Sequence, residues 1–236
     1  MQLAPSPPGS VTLGQAGWAL MFVALYVGAA TGLIILLQVT GLVELTLTLL
    51  LPVALGGATL AAVLALYVHL IRRNSLRPAD LGFRRPTMRL FHLLWQIPAT
   101  MFAGAILQIL VLLALTGLDL TAEPPDSALD DIATLPASLV VLCVVLIAVI
   151  TPLWEEILFR GALLEGLSRR FRPWVAVVLS ALVFASVHLV PLSFAYLFTL
   201  GVSLALLRRF HRNLWAPVLL HAANNAFVVS VVLLST

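Results

Sequence analysis

Long apolar runs separated by short polar blocks set the pattern of this chain. The runs fall at about 17–39, 44–70, 91–118, 136–167, 174–189, 191–207 and 214–234. Most reach the ~20 residues that carry a helix across a ~30 Å hydrocarbon core. An open chain in lipid must satisfy its backbone within each segment, so all are expected as helices. The expected fold is all-α: a polytopic membrane helix bundle of about seven transmembrane helices, or eight if the 174–207 region around Pro191 is broken. Residues 17–236 read as a single transmembrane domain. Residues 1–16, rich in Pro, Ser and Gly and lacking the basic start of a secretory signal, read as a flexible tail.

Composition agrees. The 236 residues are 61% hydrophobic and only 10% charged, with mean hydropathy +1.10, whereas soluble domains carry about 25% charged residues. The formal net charge of +3 does not point to nucleic acid, because the charges sit in blocks between apolar runs. Arg72, Arg73, Arg77, Arg84, Arg85 and Arg89 face a single Asp80 in one connection, and the next carries Asp119, Glu123, Asp126, Asp130 and Asp131. The positive-inside rule places the Arg-rich connection in the cytoplasm, with Arg169, Arg170 and Arg172, and then Arg208, Arg209 and Arg212, marking two further cytoplasmic loops. The alternation closes with a cytoplasmic N-terminus and an outward C-terminus. All 13 basic residues are Arg, a bias expected of a GC-rich bacterial genome, so the expected location is a bacterial cell membrane. The single cysteine, Cys143, excludes an intramolecular disulfide and reads as a small buried residue. Gly28 and Gly32 form a GxxxG, expected to serve packing inside the bundle. His69, His92 and His211 border the Arg loops, where interfacial solvation accounts for them.

The fourth apolar run is interrupted by TPLWEEILFRG, which places Glu155, Glu156 and Arg160 where each central charge costs roughly 2.5 to 3.5 kcal/mol. Glu156 and Arg160 are i and i+4 and can pair on one face; Glu155 is rotated by about 100° and stays locally unpaired. Two later runs also carry polar groups: FASVH, with Phe184 and His188, and HAANN, with His221, Asn224 and Asn225. At ~1.5 Å per residue, Glu155 lies about 20 Å from Ser168, His188 about 22 Å from Pro173 and His221 about 12 Å from Asn213. All approach mid-membrane from the cytoplasmic side. Taken singly, each has a structural reading: a helix-to-helix hydrogen bond, a salt-bridge lock, or core for Phe184. A lock, however, does not require two imidazoles and an amide at the same depth.

A buried carboxylate with an imidazole opposite can hold and deprotonate a water, which is peptide hydrolysis chemistry. His221 and Asn225, again i and i+4, can supply donors to the oxyanion of a tetrahedral intermediate. The competing arrangement puts a divalent metal such as zinc between Glu155, His188 and His221. The usual His-Glu-x-x-His spacing is absent, Asn is a poor zinc ligand and Arg160 adds positive charge, which tilts the balance toward a metal-free site.

EExxxR, FxxxH and HxxxN, in this order on three polar-bearing membrane helices, resemble the CPBP family of intramembrane proteases (CAAX protease and bacteriocin-processing, also called ABI). The likeness covers about 150–230, and LGFRR at 81–85 is similar to a common connection in the family. It implies an endopeptidase that cuts a membrane-associated, prenylated or otherwise tethered protein or peptide from a cavity open to the cytoplasm. Glu155 and His188 would activate the water, His221 and Asn225 would steady the oxyanion, and Glu156, Arg160 and Phe184 would set the geometry. The family is read both as metalloproteases and as glutamate-dependent enzymes, so both chemistries carry over.

Two other functional classes fit these residues less well. A non-catalytic immunity or regulatory partner protein would not require the Glu-His-His-Asn set. A proton-coupled transporter would be expected to show paired broken helices in two repeated halves, and the chain does not. Other intramembrane protease classes lack their motifs: there is no GxSG or GxGD, and Cys143 has no neighbouring base.

Overall fold

The structure, a computed structural model, describes residues 11–116 and 130–235. The first ten residues of the expected tail, and Asp119, Glu123 and Asp126, lie outside them. The described residues form seven helices: α1 (Leu13–Val39), α2 (Leu47–Leu66, running on through a π-helical turn Tyr67–Arg72), α3 (Leu93–Thr116), α4 (Ala137–Ser168), α5 (Pro173–Val187), α6 (Phe194–His211) and α7 (Trp215–Ser235). Six are long and apolar enough to cross a membrane; α5, with 15 residues, is shorter. The chain is an all-α, multi-pass membrane bundle.

α1 begins at Leu13, four residues before its apolar run, because Thr12 and Gln15 form a capping box. Gln15 Oε1 accepts from the Thr12 amide at 2.8 Å and the Gln15 amide donates to Thr12 Oγ1 at 3.3 Å. These bonds satisfy donors that an uncapped helix end would expose. The break expected near Pro191 is a tight reversal: α5 stops at His188, Leu189 takes a left-handed conformation with φ 55°, and a 3-10 turn Pro191–Ser193 leads into α6. α5 and α6 are thus an antiparallel hairpin, and the described residues form seven helices rather than eight.

α4 is the hub, packing against α1, α2, α5, α6 and α7. It is not uniformly α-helical: π-helical turns at Leu146–Ile150 and Ile157–Leu163 flank the short α segment Thr151–Glu156. Each π turn widens the helix by one residue, a feature common at functional sites. Large apolar side chains such as Leu25, Leu36, Phe102, Ile106 and Leu110 point outward, while Glu155, Glu156, Arg160, His221 and Asn224 are buried. Lipid is the solvent that makes this arrangement favourable. Cys143 is buried with Ile132 and Leu135 in a small second cluster beside α4.

The connection after α2 is pinned to the α6–α7 turn. The Leu214 amide donates to the carbonyl of Gly82 at 2.9 Å, and Asn213 Nδ2 donates to Arg84 O at 3.1 Å. Gly82 has φ 101°, which excludes ordinary side chains there.

Two expectations are corrected. Gly28 and Gly32 pack on nothing: no described atom lies within 4 Å of a Cβ built at either, so the GxxxG lies on an open face of α1. His211 is not solvated at the interface. It is 6% exposed, and its Nε2 bonds Gln96 Oε1 at 2.9 Å.

Candidate active site

The three polar-bearing helices converge. Glu155 Oε2 lies 3.7 Å from His221 Nε2 and 4.0 Å from His188 Nε2. This oxygen is buried without a hydrogen-bond partner among the described residues. The acid left over by the i, i+4 pairing of Glu156 and Arg160 is therefore the one that faces both imidazoles.

Each imidazole is oriented by its other nitrogen. His188 is the C-cap of α5, and its Nδ1 lies 2.7 Å from the carbonyl of Phe184. His221 Nδ1 lies 2.9 Å from Glu156 Oε1. Carbonyl and carboxylate oxygens only accept, so the proton sits on Nδ1 in both rings, and the neutral forms turn Nε2 lone pairs toward Glu155.

Glu156 is shared. Its Oε1 also accepts from Arg160 Nη1 at 2.8 Å, in a pair whose side chains are wholly buried. Arg160 Nη2 donates to Gly201 O at 3.2 Å, and its guanidinium carbon lies 4.4 Å from the Phe184 ring centre. Phe184 is fully buried, 4.6 Å from the His188 ring and 5.7 Å from that of His221. Alone it reads as core; in place it is the aromatic floor under Arg160 and His188.

Asn225 is placed by the first π turn of α4. The Thr151 amide bonds Leu146 O there, so in the same register the carbonyl of Ile147 would need the amide of residue 152, which is proline. Asn225 Nδ2 donates to that carbonyl instead, at 3.0 Å. One amide hydrogen of Asn225 remains. Its Oδ1 accepts from Asn224 at 3.3 Å, and Asn224 Oδ1 accepts from the Tyr196 hydroxyl at 2.5 Å.

The sequence alone does not single out Tyr196 or Thr151 and assigns Asn224 no role. A lone tyrosine three residues after a Pro-containing turn in an apolar run was the available signal. The cavity in question, about 480 Å³, is lined by Thr151, Glu155, His188, Tyr196, His221 and Asn225. A second, of about 210 Å³, reaches Glu155 and His188 from the α1 side and is lined by Val23, Trp154 and Phe159. Glu155 and His188 thus form the wall between two cavities. A larger cavity, about 740 Å³, is mostly apolar, lies between α3 and the α5–α6 turn, and includes none of these groups.

The donor set also bears on a metal. Two Nε2 lone pairs and a carboxylate, with each Nδ1–H tied to an oxygen, match the pattern that orients ligating histidines. Yet the separations of 3.7 and 4.0 Å exceed the ~3.3 Å between tetrahedral zinc ligands. Among the described residues no three His, Cys, Asp or Glu side chains close on one point tightly enough to enclose an ion.

Residues 137–227, which contain every motif position, match the Rce1-like family model, described as "Type II CAAX prenyl endopeptidase Rce1-like". This is the family that EExxxR, FxxxH and HxxxN resemble. The chain is also 28% identical over 114 residues to "Putative membrane peptidase YdiL" of Bacillus subtilis (strain 168), across 48% of this chain and 44% of that relative's own length. No solved structure matches the chain.

Proposed function

We propose that this chain is an intramembrane endopeptidase that hydrolyses a peptide bond of a membrane-associated protein or peptide, of the prenylated CAAX type that the family match implies. The observation that carries the reading is the unpartnered Glu155 oxygen held between two imidazole Nε2 atoms beside a 480 Å³ cavity.

In the metal-free form, a water bound between Glu155 and His188 loses a proton to Glu155 as its oxygen attacks the scissile carbonyl. The spacing suits this, because one water about 2.8 Å from each group bridges a gap of this width. A second proton taken from solvent onto Nε2 before the attack lets His221 donate Nε2–H to the oxyanion while Nδ1–H stays on Glu156, and the remaining amide hydrogen of Asn225 is a second donor. The C–N bond then breaks, the proton on Glu155 passes to the leaving amine, and a carboxyl group forms on the other product. Arg160 holds Glu156 in place throughout. The alternative is a divalent cation held by Glu155, His188 and His221 after a small inward shift of these side chains; bound there it would polarise the carbonyl and acidify its water.

The test uses purified full-length protein in bilayers with a prenylated CAAX-terminated peptide and its unprenylated control. Glu155→Ala and His188→Ala, made separately, are each expected to abolish cleavage. Full activity in either ends the proposal. Metal content measured on the active preparation, with activity after chelation, separates the two chemistries.

A further inference from the structure

A second polar cavity lies at the other end of Arg160. About 160 Å³ in volume, it is lined by Arg160, Glu165, Ser168, Arg208, Arg209 and Arg212, where the C-terminal ends of α4 and α6 meet. Its charge is one-sided. Glu165, its acid, is engaged by Arg169 at 3.4 Å, and Arg160 is held by Glu156. Arg208, Arg209 and Arg212 make no ion pair among the described residues.

Positive-inside topology alone would put arginines here, but it would leave their heads in water. Arg160 is instead withdrawn from it, and Arg208 is withdrawn in part. The Nε–H groups of Arg160 and Arg208 are both buried without a hydrogen-bond partner among the described residues, and Arg160 is 1% exposed. Burying such donors unmet is costly. The Arg208 guanidinium also lies so close over Gly82 that a Cβ there would overlap it. The cavity therefore has a wall rich in positive charge. A ligand that meets them needs negative charge, several acceptor oxygens and a compact shape, which a phosphoryl group has. Basic pockets between membrane helices on the cytoplasmic side are also where anionic lipid headgroups bind.

We propose that this cavity binds a phosphoryl group, either the phosphodiester of an anionic phospholipid or free phosphate. The site is independent of the catalytic reading, although Arg160 belongs to both.

The full-length protein is placed in nanodiscs, and binding rather than cleavage is read. One arm uses phosphatidylglycerol against phosphatidylcholine, with retained lipid counted by native mass spectrometry. The other titrates inorganic phosphate in phosphatidylcholine discs by calorimetry. The triple variant Arg208→Gln, Arg209→Gln, Arg212→Gln is expected to weaken binding about tenfold or more. Phosphatidylglycerol retained by the wild type, lost in the variant and not displaced by phosphate supports a lipid site. Phosphate binding lost in the variant supports a soluble ligand. Equal binding by wild type and variant in both arms overturns the proposal. Should the triple variant fail to fold, Arg209→Gln, at an exposed position, makes the same comparison with an expected loss of about fivefold.

Discussion

The two adjacent glutamates differ in what surrounds them, and their substitutions should differ accordingly. Glu155 Oε2 has no hydrogen-bond partner among the described residues, so Glu155→Gln is expected to leave thermal stability close to wild type while turnover falls by roughly 10² to 10⁴. Glu156 carries both Arg160 and His221. Glu156→Gln leaves a buried guanidinium without its counter-charge, and a loss of about 3 kcal/mol is expected in denaturant unfolding, along with reduced turnover. A Glu156→Gln protein as stable as wild type would contradict this account of the pair. The sequence makes the distinction visible only in part. The i, i+4 spacing identifies Glu155 as the unpaired acid, but the bond from Glu156 to His221 joins residues 65 apart and has no local signature. Asn225 is similar: its place at the site follows from the HxxxN spacing, while its bond to Ile147 depends on Pro152 and a π turn on another helix.

Helix ends and interruptions explain most of the remaining differences between the apolar pattern and the elements. Hydropathy averages over a window, so it could not register the capping box that starts α1 at Leu13 or the π turns of α4, whose residues are as apolar as their neighbours. Close approach of helices is equally silent. A Cβ on Gly201 would lie 3.0 Å from the Ala181 backbone and 3.2 Å from the Phe184 ring, and Gly201 O receives Arg160. Gly201→Val is therefore expected to force α6 off α5, lowering both the unfolding midpoint and activity. The GxxxG of α1, the more familiar motif, lies against no described atom. Gly28→Ala and Gly32→Ala should be neutral or raise stability by up to about 1 kcal/mol each, since alanine is the better helix former. Thermal unfolding of the three variants in the same detergent tests both statements.

The bundle encloses the site, and from the charge pattern we propose that it opens to the cytoplasmic side. With Arg loops inside, a unique cysteine placed near residue 233 in a Cys143→Ser background should react with an impermeant maleimide on intact cells, and one placed near residue 75 should not. The reverse pattern would invert the proposed orientation. The brevity of α5 has a further consequence. Fifteen residues rise about 22 Å, some 8 Å less than a ~30 Å hydrocarbon core, and His188 stands at its end. Lipid beside the α5–α6 reversal is expected to thin to meet it, at a cost that grows with acyl length. Turnover measured across bilayers of 14-, 18- and 22-carbon chains is expected to fall with thickness, making the surrounding membrane itself a regulator of the reaction.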